Sequence, residues 1–397
     1  MEKRFGQLDS LRGIVAAIVM FAHISLVYKV TPLLITRLLT WSPLRVFING
    51  GGAVMFFFVL SGFVLSLPFL NQNKVPYLPY IIKRIFRIYL PYILAICVAF
   101  SLALLVSGNI KSVSLFLNGV WDAKPIGKYL LEHLTLIGNI HSNAYDPVIW
   151  SLIHEMRISL IFPLIVLLVK RTKLKTTISI CLAMAMVGGL NNKFHFEISN
   201  GYATTYFDTL RMIPVFVTGV LIAKHRLKII SFYKSLTLIT KILLFVFSLV
   251  IYNFSEVLFP FIINHGLLNA SFLFKEIGNG MVDINISQYG EMLGAAGLIL
   301  FALGSNRVER FLLKGPFVFL GRISFSLYLY HFIVILLLVH LFYRSIPLTL
   351  ILFASIFLSI GVAKLAWLFV EVPCINIGKD LSRRLVEVKR RKYAKSA

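Results

Sequence analysis

Arg12 and His23 stand eleven residues apart in LDSLRGIVAAIVMFAHISL, an otherwise apolar run. At about 100° per residue this spacing is three turns plus roughly 20°, so the two side chains share one helix face. A rise of about 1.5 Å per residue separates them by about 16 Å along the axis. Asp9, three residues before Arg12, is placed to pair with it. A guanidinium holds phosphate oxygens and an imidazole takes a proton from a hydroxyl. One helix therefore carries an anion-binding group and a candidate general base. The bland alternative is that Arg12 snorkels to headgroups while His23 hydrogen-bonds a neighbouring helix. Two costly groups on one face of an apolar helix favour function.

Other residues can complete that chemistry. WSLIHEMR places Glu155 in a second apolar run, at a depth similar to that of His23. A carboxylate orienting an imidazole is a familiar general-base arrangement, and that contact is expected here. A packing pair of Glu155 with His154 or Arg157 is the plain alternative. KRIFRIYLPY sets Arg84 and Arg87 one turn apart at the border of a third run, where they mark topology or clamp phosphates. GRISFSLYLYHFIVI spaces Ser324, Tyr328 and His331 by four and three residues, one polar stripe from which a donor could meet an oxyanion. Gly62 in FFFVLSGFVLS reads as a close-packing position. No phosphate-loop glycine signature, zinc-type His/Cys spacing or nucleophile elbow appears, so neither a metal nor a permanently bound cofactor is expected.

The elements that must carry these residues follow from composition. Of 397 residues, 58% are hydrophobic and 14% charged, and the mean hydropathy is +0.85. Soluble domains carry about 25% charged residues, so this chain belongs in a bilayer. Runs long enough to cross predict ten helices, over 11–28, 50–69, 88–107, 149–169, 176–190, 209–223, 236–253, 290–304, 322–342 and 347–369. The apolar stretch 128–140 is short and predicts an interfacial or re-entrant helix. The first run lacks a cleavage site and is read as a retained span. Placing the N-terminus inside puts 27 of the 40 Lys and Arg on the cytoplasmic side, the expected bias. The fold expected is an all-α polytopic membrane protein of about ten transmembrane helices with both termini cytoplasmic. Residues 1–373 form one transmembrane domain and 374–397 a basic cytoplasmic tail against anionic lipid. The net charge of +24 is spread over short clusters between spans, not gathered in a stripe, which argues against nucleic acid.

With these residues in hand, the chain resembles acyltransferase family 3, the membrane-bound O-acyltransferases of surface glycans. The resemblance runs from Leu8 to about Pro373. It rests on LDSLRG followed by His23, FFFVLSGFVLS, the Arg84–Arg87 segment leading into Pro91, WSLIHE, GRISFSLYLYH and Glu371–Val372–Pro373. Family members usually carry aromatics after the glutamate, where this chain has Arg157, Ile158 and Ser159. The resemblance implies transfer of an acyl group, most often acetyl, from cytoplasmic acetyl-CoA to a hydroxyl of a cell-surface glycan or glycolipid intermediate. It implies an inner (plasma) membrane location and makes Arg12 and His23 the essential pair. On that reading Arg12, Arg84 and Arg87 hold CoA phosphates, and His23, oriented by Glu155, is the general base. Ser324, Tyr328 or His331 would donate to the oxyanion, and a transient acyl-imidazole on His23 is a variant. The rival from another class is a secondary transporter or exporter of a glycan or lipid intermediate, with the buried Arg, His and Glu as a proton relay. No inverted repeat supports it.

Overall fold

The computed structural model of the chain describes residues 5–30, 33–71, 75–111, 113–264 and 279–395. Among them ten helices are long and apolar enough to cross a membrane. Numbering only these, they are α1 Gly6–Ser25, α2 Gly50–Asn71, α3 Tyr77–Val106, α4 Pro147–Arg171, α5 Leu174–Phe194, α6 Tyr206–Ser235, α7 Leu238–Phe259, α8 Ile286–Gly304, α9 Gly315–Phe342 and α10 Leu348–Val388. Each span read from the sequence falls on one of them, and no strand forms among the described residues. The chain is an all-α, multi-pass membrane protein. The stretch 128–140 does not cross, and holds only the short helix Gly127–His133.

Several helices outrun their apolar stretches. α6 continues past residue 223 through Lys224, Arg226 and Lys228, and helix persists beyond α10 to Lys395. The reason is that hydropathy measures the hydrocarbon thickness, whereas backbone hydrogen bonding continues into water.

Two glycine contacts set the centre of the bundle. Gly13 of α1 lies against Leu320 and Gly321 of α9, and Gly321 lies against the Asp9 carbonyl, so a methyl at either glycine would collide with backbone. Gly62 of α2 and Gly219 of α6 abut each other's backbones in the same way. With no hydrophobic drive between helices in lipid, such close approach is what dispersion and packing use instead. α2 and α6 become central, while α5, α7 and α10 face outward.

Two π-helical turns interrupt the bundle, Ile85–Tyr89 in α3 and Trp367–Glu371 in α10. Each is followed two residues later by proline, Pro91 and Pro373. Proline lacks an N–H and its ring crowds the carbonyl four residues back, here that of Arg87 or Phe369, within the widened turn. The sequence thus carries a local reason for both irregularities. They bring Arg87 and Glu371 to 3.6 Å of each other.

Candidate active site

His23 sits near the far end of α1 and meets α9. Its Nδ1 lies 3.0 Å from the Val19 carbonyl and 3.0 Å from His331 Nε2. His331 Nδ1 lies 2.9 Å from the Leu327 carbonyl and can only donate there. The network therefore assigns His331 Nε2 as acceptor, His23 Nδ1–H as a shared donor, and His23 Nε2 as the nitrogen with a free lone pair. Phe116 stacks on His23 with centroids 6.0 Å apart, and Phe332 contacts it edge-on at 5.1 Å. Phe116 is held over the imidazole because Ser114 donates from its N–H to the Val27 carbonyl and from its hydroxyl to the Leu26 carbonyl, 2.9 and 2.6 Å.

Glu155 does not reach His23. Its Oε1 accepts from Arg84 at 2.7 Å and from the Ser61 hydroxyl at 3.4 Å, while Arg84 Nε also donates to Ser159 Oγ at 3.1 Å. The expected contact fails because Glu155 faces Arg12, Arg84 and Arg87 on the side where α1 begins, whereas His23 lies near the other end of α1. Glu155 thus lies nearer the level of Arg12 than that of His23. A carboxylate there takes the nearest buried cation.

Two cavities flank this arrangement. The smaller is walled by Arg12, Arg84, Arg87, Glu155, Ser61 and Ser324 on the side where α1 begins. The larger is lined by His23, Trp150, Tyr202, Asn143, Arg45 and Glu256 on the opposite side. Tyr328 lines both. Its hydroxyl donates to the Val148 carbonyl at 2.7 Å and accepts from Ser151 Oγ at 2.7 Å. The stripe on α9 thus runs from one cavity to the other, with Ser324 in the first, Tyr328 between and His331 beside His23.

The arginines are not equivalent. Arg84 is buried and committed to Glu155 and Ser159. Arg87 is 40% exposed and touches Glu371, which also accepts from Ser326 at 2.8 Å. Arg12 approaches Asp9 only to 3.9 Å. Arg12 and Arg87 are the guanidiniums open to an anion.

A family model described as an acyltransferase domain matches residues 5–368, nearly the whole chain. The chain belongs to acyltransferase family 3. No curated protein and no solved structure matches it. It is a multi-pass membrane acyltransferase.

In this acyltransferase the departure at 157–159 is structural. Arg157 donates to the carbonyls of Ile137, Gly138, Thr204 and Thr205 and to Thr209 Oγ1, all within 2.9 Å, and stacks 4.0 Å from the Tyr206 ring centre. His154 bonds Thr209 Oγ1 and the Ala203 carbonyl. Together they pin the loop before α6, which carries Tyr202 into the larger cavity. Asp146 caps the turn Pro147–Ile149 through the Val148 N–H. Burial pushes its carboxyl well above the usual carboxylate range against the pull of that N–H. Sequence reasoning missed Ser61, Ser151, Ser326, Phe116 and Glu371 as members of the site. Of these, Glu371 had a visible signal, an acid inside an apolar run two residues before a proline.

Proposed function

We propose that this acyltransferase moves an acetyl group from acetyl-CoA, bound where α1 begins, to a hydroxyl of a glycan or glycolipid in the larger cavity. The face on which α1 begins is cytoplasmic and the protein lies in the inner (plasma) membrane, a reading supported by the positive-inside bias of the loops. The observation that carries the proposal is the meeting of two unlike cavities at Tyr328, one walled by arginines and one holding the His23–His331 pair.

Arg12 and Arg87 take the CoA phosphates, for which a planar guanidinium is suited. Arg84, tied to Glu155, holds the wall. The pantetheine arm runs along α1, and Tyr328 turns aside to let the thioester approach His23. The acceptor hydroxyl gives its proton to His23 Nε2 as its oxygen attacks the thioester carbonyl carbon. A C–O bond forms and the carbonyl electron pair moves to oxygen, where the Ser151 hydroxyl, released from Tyr328 as that ring turns aside, donates. Collapse breaks the C–S bond, and the leaving thiolate takes the proton from His23, restoring the base. His331 accepts from His23 Nδ1–H throughout, so the imidazolium keeps a partner.

The test uses membranes containing wild type or His23→Ala with labelled acetyl-CoA. Label in a glycan fraction, lost in the variant at equal protein level, is the expected outcome. Transfer at the wild-type rate by His23→Ala removes the base, and no transfer by wild type from acetyl-CoA or succinyl-CoA removes the reaction.

A further inference from the structure

We infer that the larger cavity is an acceptor subsite built for an uncharged saccharide, with Trp150 and Tyr202 as its platform and Asn143 and the Arg45–Glu256 pair as its polar rim. The inference rests on the acyl-transfer reading and deepens it by naming the substrate class.

The geometry is that of a preformed corner. The Trp150 and Tyr202 rings lie 5.2 Å apart and are inclined at 80°, so two aromatic faces meet at the cavity wall. A sugar ring offers one face of C–H groups, which buries well against an aromatic, and a rim of hydroxyls that must find donors and acceptors. Both aromatics are fixed before any ligand arrives. Trp150 packs edge-on against Phe58 and His154. Tyr202 follows Gly201, whose Cα lies so close to Ser142 that a methyl there would clash, and its N–H donates to Ser142 Oγ at 3.2 Å. Ala203 takes the left-handed conformation at φ 49°, and Arg157 locks the carbonyls just beyond it. Ordering of this kind lowers the entropic cost of binding. His23 lines the same cavity, so a hydroxyl presented in the corner faces the base.

Charge selects among saccharides. Arg45 is paired with Glu256 and also bonds the Asn253 carbonyl, so the one guanidinium among the described residues of this lining is neutralised. An acidic sugar or a phosphate would meet no unpaired guanidinium among the described residues of this lining. The contrast lies across Tyr328, where three arginines wall the smaller cavity. The two cavities are sorted by charge, anion on one side and neutral ligand on the other.

The test reads binding without any acyl donor, so it succeeds or fails independently of the reaction. The full-length protein in lipid nanodiscs is titrated with cellobiose, chitobiose and digalacturonate, followed by saturation-transfer-difference NMR. The neutral disaccharides are expected to receive saturation and digalacturonate not. Tyr202→Ala removes a largely exposed loop side chain and should weaken disaccharide binding about tenfold, equivalent to about 1.4 kcal/mol, with CoA binding unchanged. Glu256→Gln frees Arg45 and should admit digalacturonate. Failure of either neutral disaccharide to bind the wild type, preference for digalacturonate, or an unchanged affinity in both Tyr202→Ala and Trp150→Leu overturns the assignment.

Discussion

Replacing His331 by alanine isolates what the second imidazole does for the first. His23 Nδ1–H is shared between the Val19 carbonyl and His331 Nε2, each at 3.0 Å. After the substitution Val19 still holds that proton, so the tautomer survives and Nε2 remains basic. What disappears is the acceptor that steadies the ring as it becomes imidazolium. A hydrogen bond to a charged group contributes about 1.5–3 kcal/mol, and the charge exists only in the transition state and the intermediate. The expected loss in kcat is therefore about 10- to 150-fold, at about 1.4 kcal/mol per factor of ten. Removing His23 itself should cost about 10²–10⁴-fold, the usual scale for a general base. KM for acetyl-CoA should not move, because His331 lies on the other side of Tyr328 from the arginine-walled cavity. His331→Gln, which restores an acceptor, should recover part of the rate. The assay is steady-state transfer of labelled acetyl in membranes at matched protein level. A wild-type kcat in His331→Ala, or a loss as large as that of His23→Ala with no recovery in His331→Gln, refutes the positioning role.

Other substitutions separate structure from chemistry. Arg84→Ala strands Glu155 beside Ser61 and should cost about 2–3 kcal/mol of stability, less than a fully buried pair because Glu155 borders a cavity; an unchanged Tm would mean that the pair contributes nothing. Arg157→Lys offers three donors where five acceptors wait, and should lower stability by about 3 kcal/mol while raising KM for the acceptor more than KM for acetyl-CoA; equal effects on both would detach Arg157 from the Tyr202 loop. Asp146→Asn tests the buried carboxyl. A carboxyl whose folded pKa is raised stabilises the fold below the ordinary carboxylate range and loses that contribution as pH rises through the folded value. The Tm of wild type should accordingly fall with rising pH relative to Asp146→Asn, and parallel curves would sink the argument.

How much was legible depends on the range of the interaction. The ten helices follow from runs of apolar residues matched to bilayer thickness, a property of consecutive residues. The shared face of Arg12 and His23, the Ser324–Tyr328–His331 stripe and the small-residue contact at Gly62 also follow from helix period and residue size, and the structure bears each of them out. Pro91 and Pro373 even carried the local cause of the π-helical turns. The pairings were not legible. His23 found His331, 308 positions away, while Glu155 went to Arg84 instead. Periodicity gives the face a residue occupies and its place along its own helix, but not how deep that helix starts or which helix packs beside it. Those are decided by backbone contacts such as Gly13 on Gly321, which put α1 beside α9, and by the packing that sets Glu155 against Arg84 and away from His23. The sequence by itself determined a membrane bundle with a guanidinium and an imidazole on one helix. Only the tertiary structure decided that this imidazole leans on a second histidine, and that it faces a cavity of its own across Tyr328.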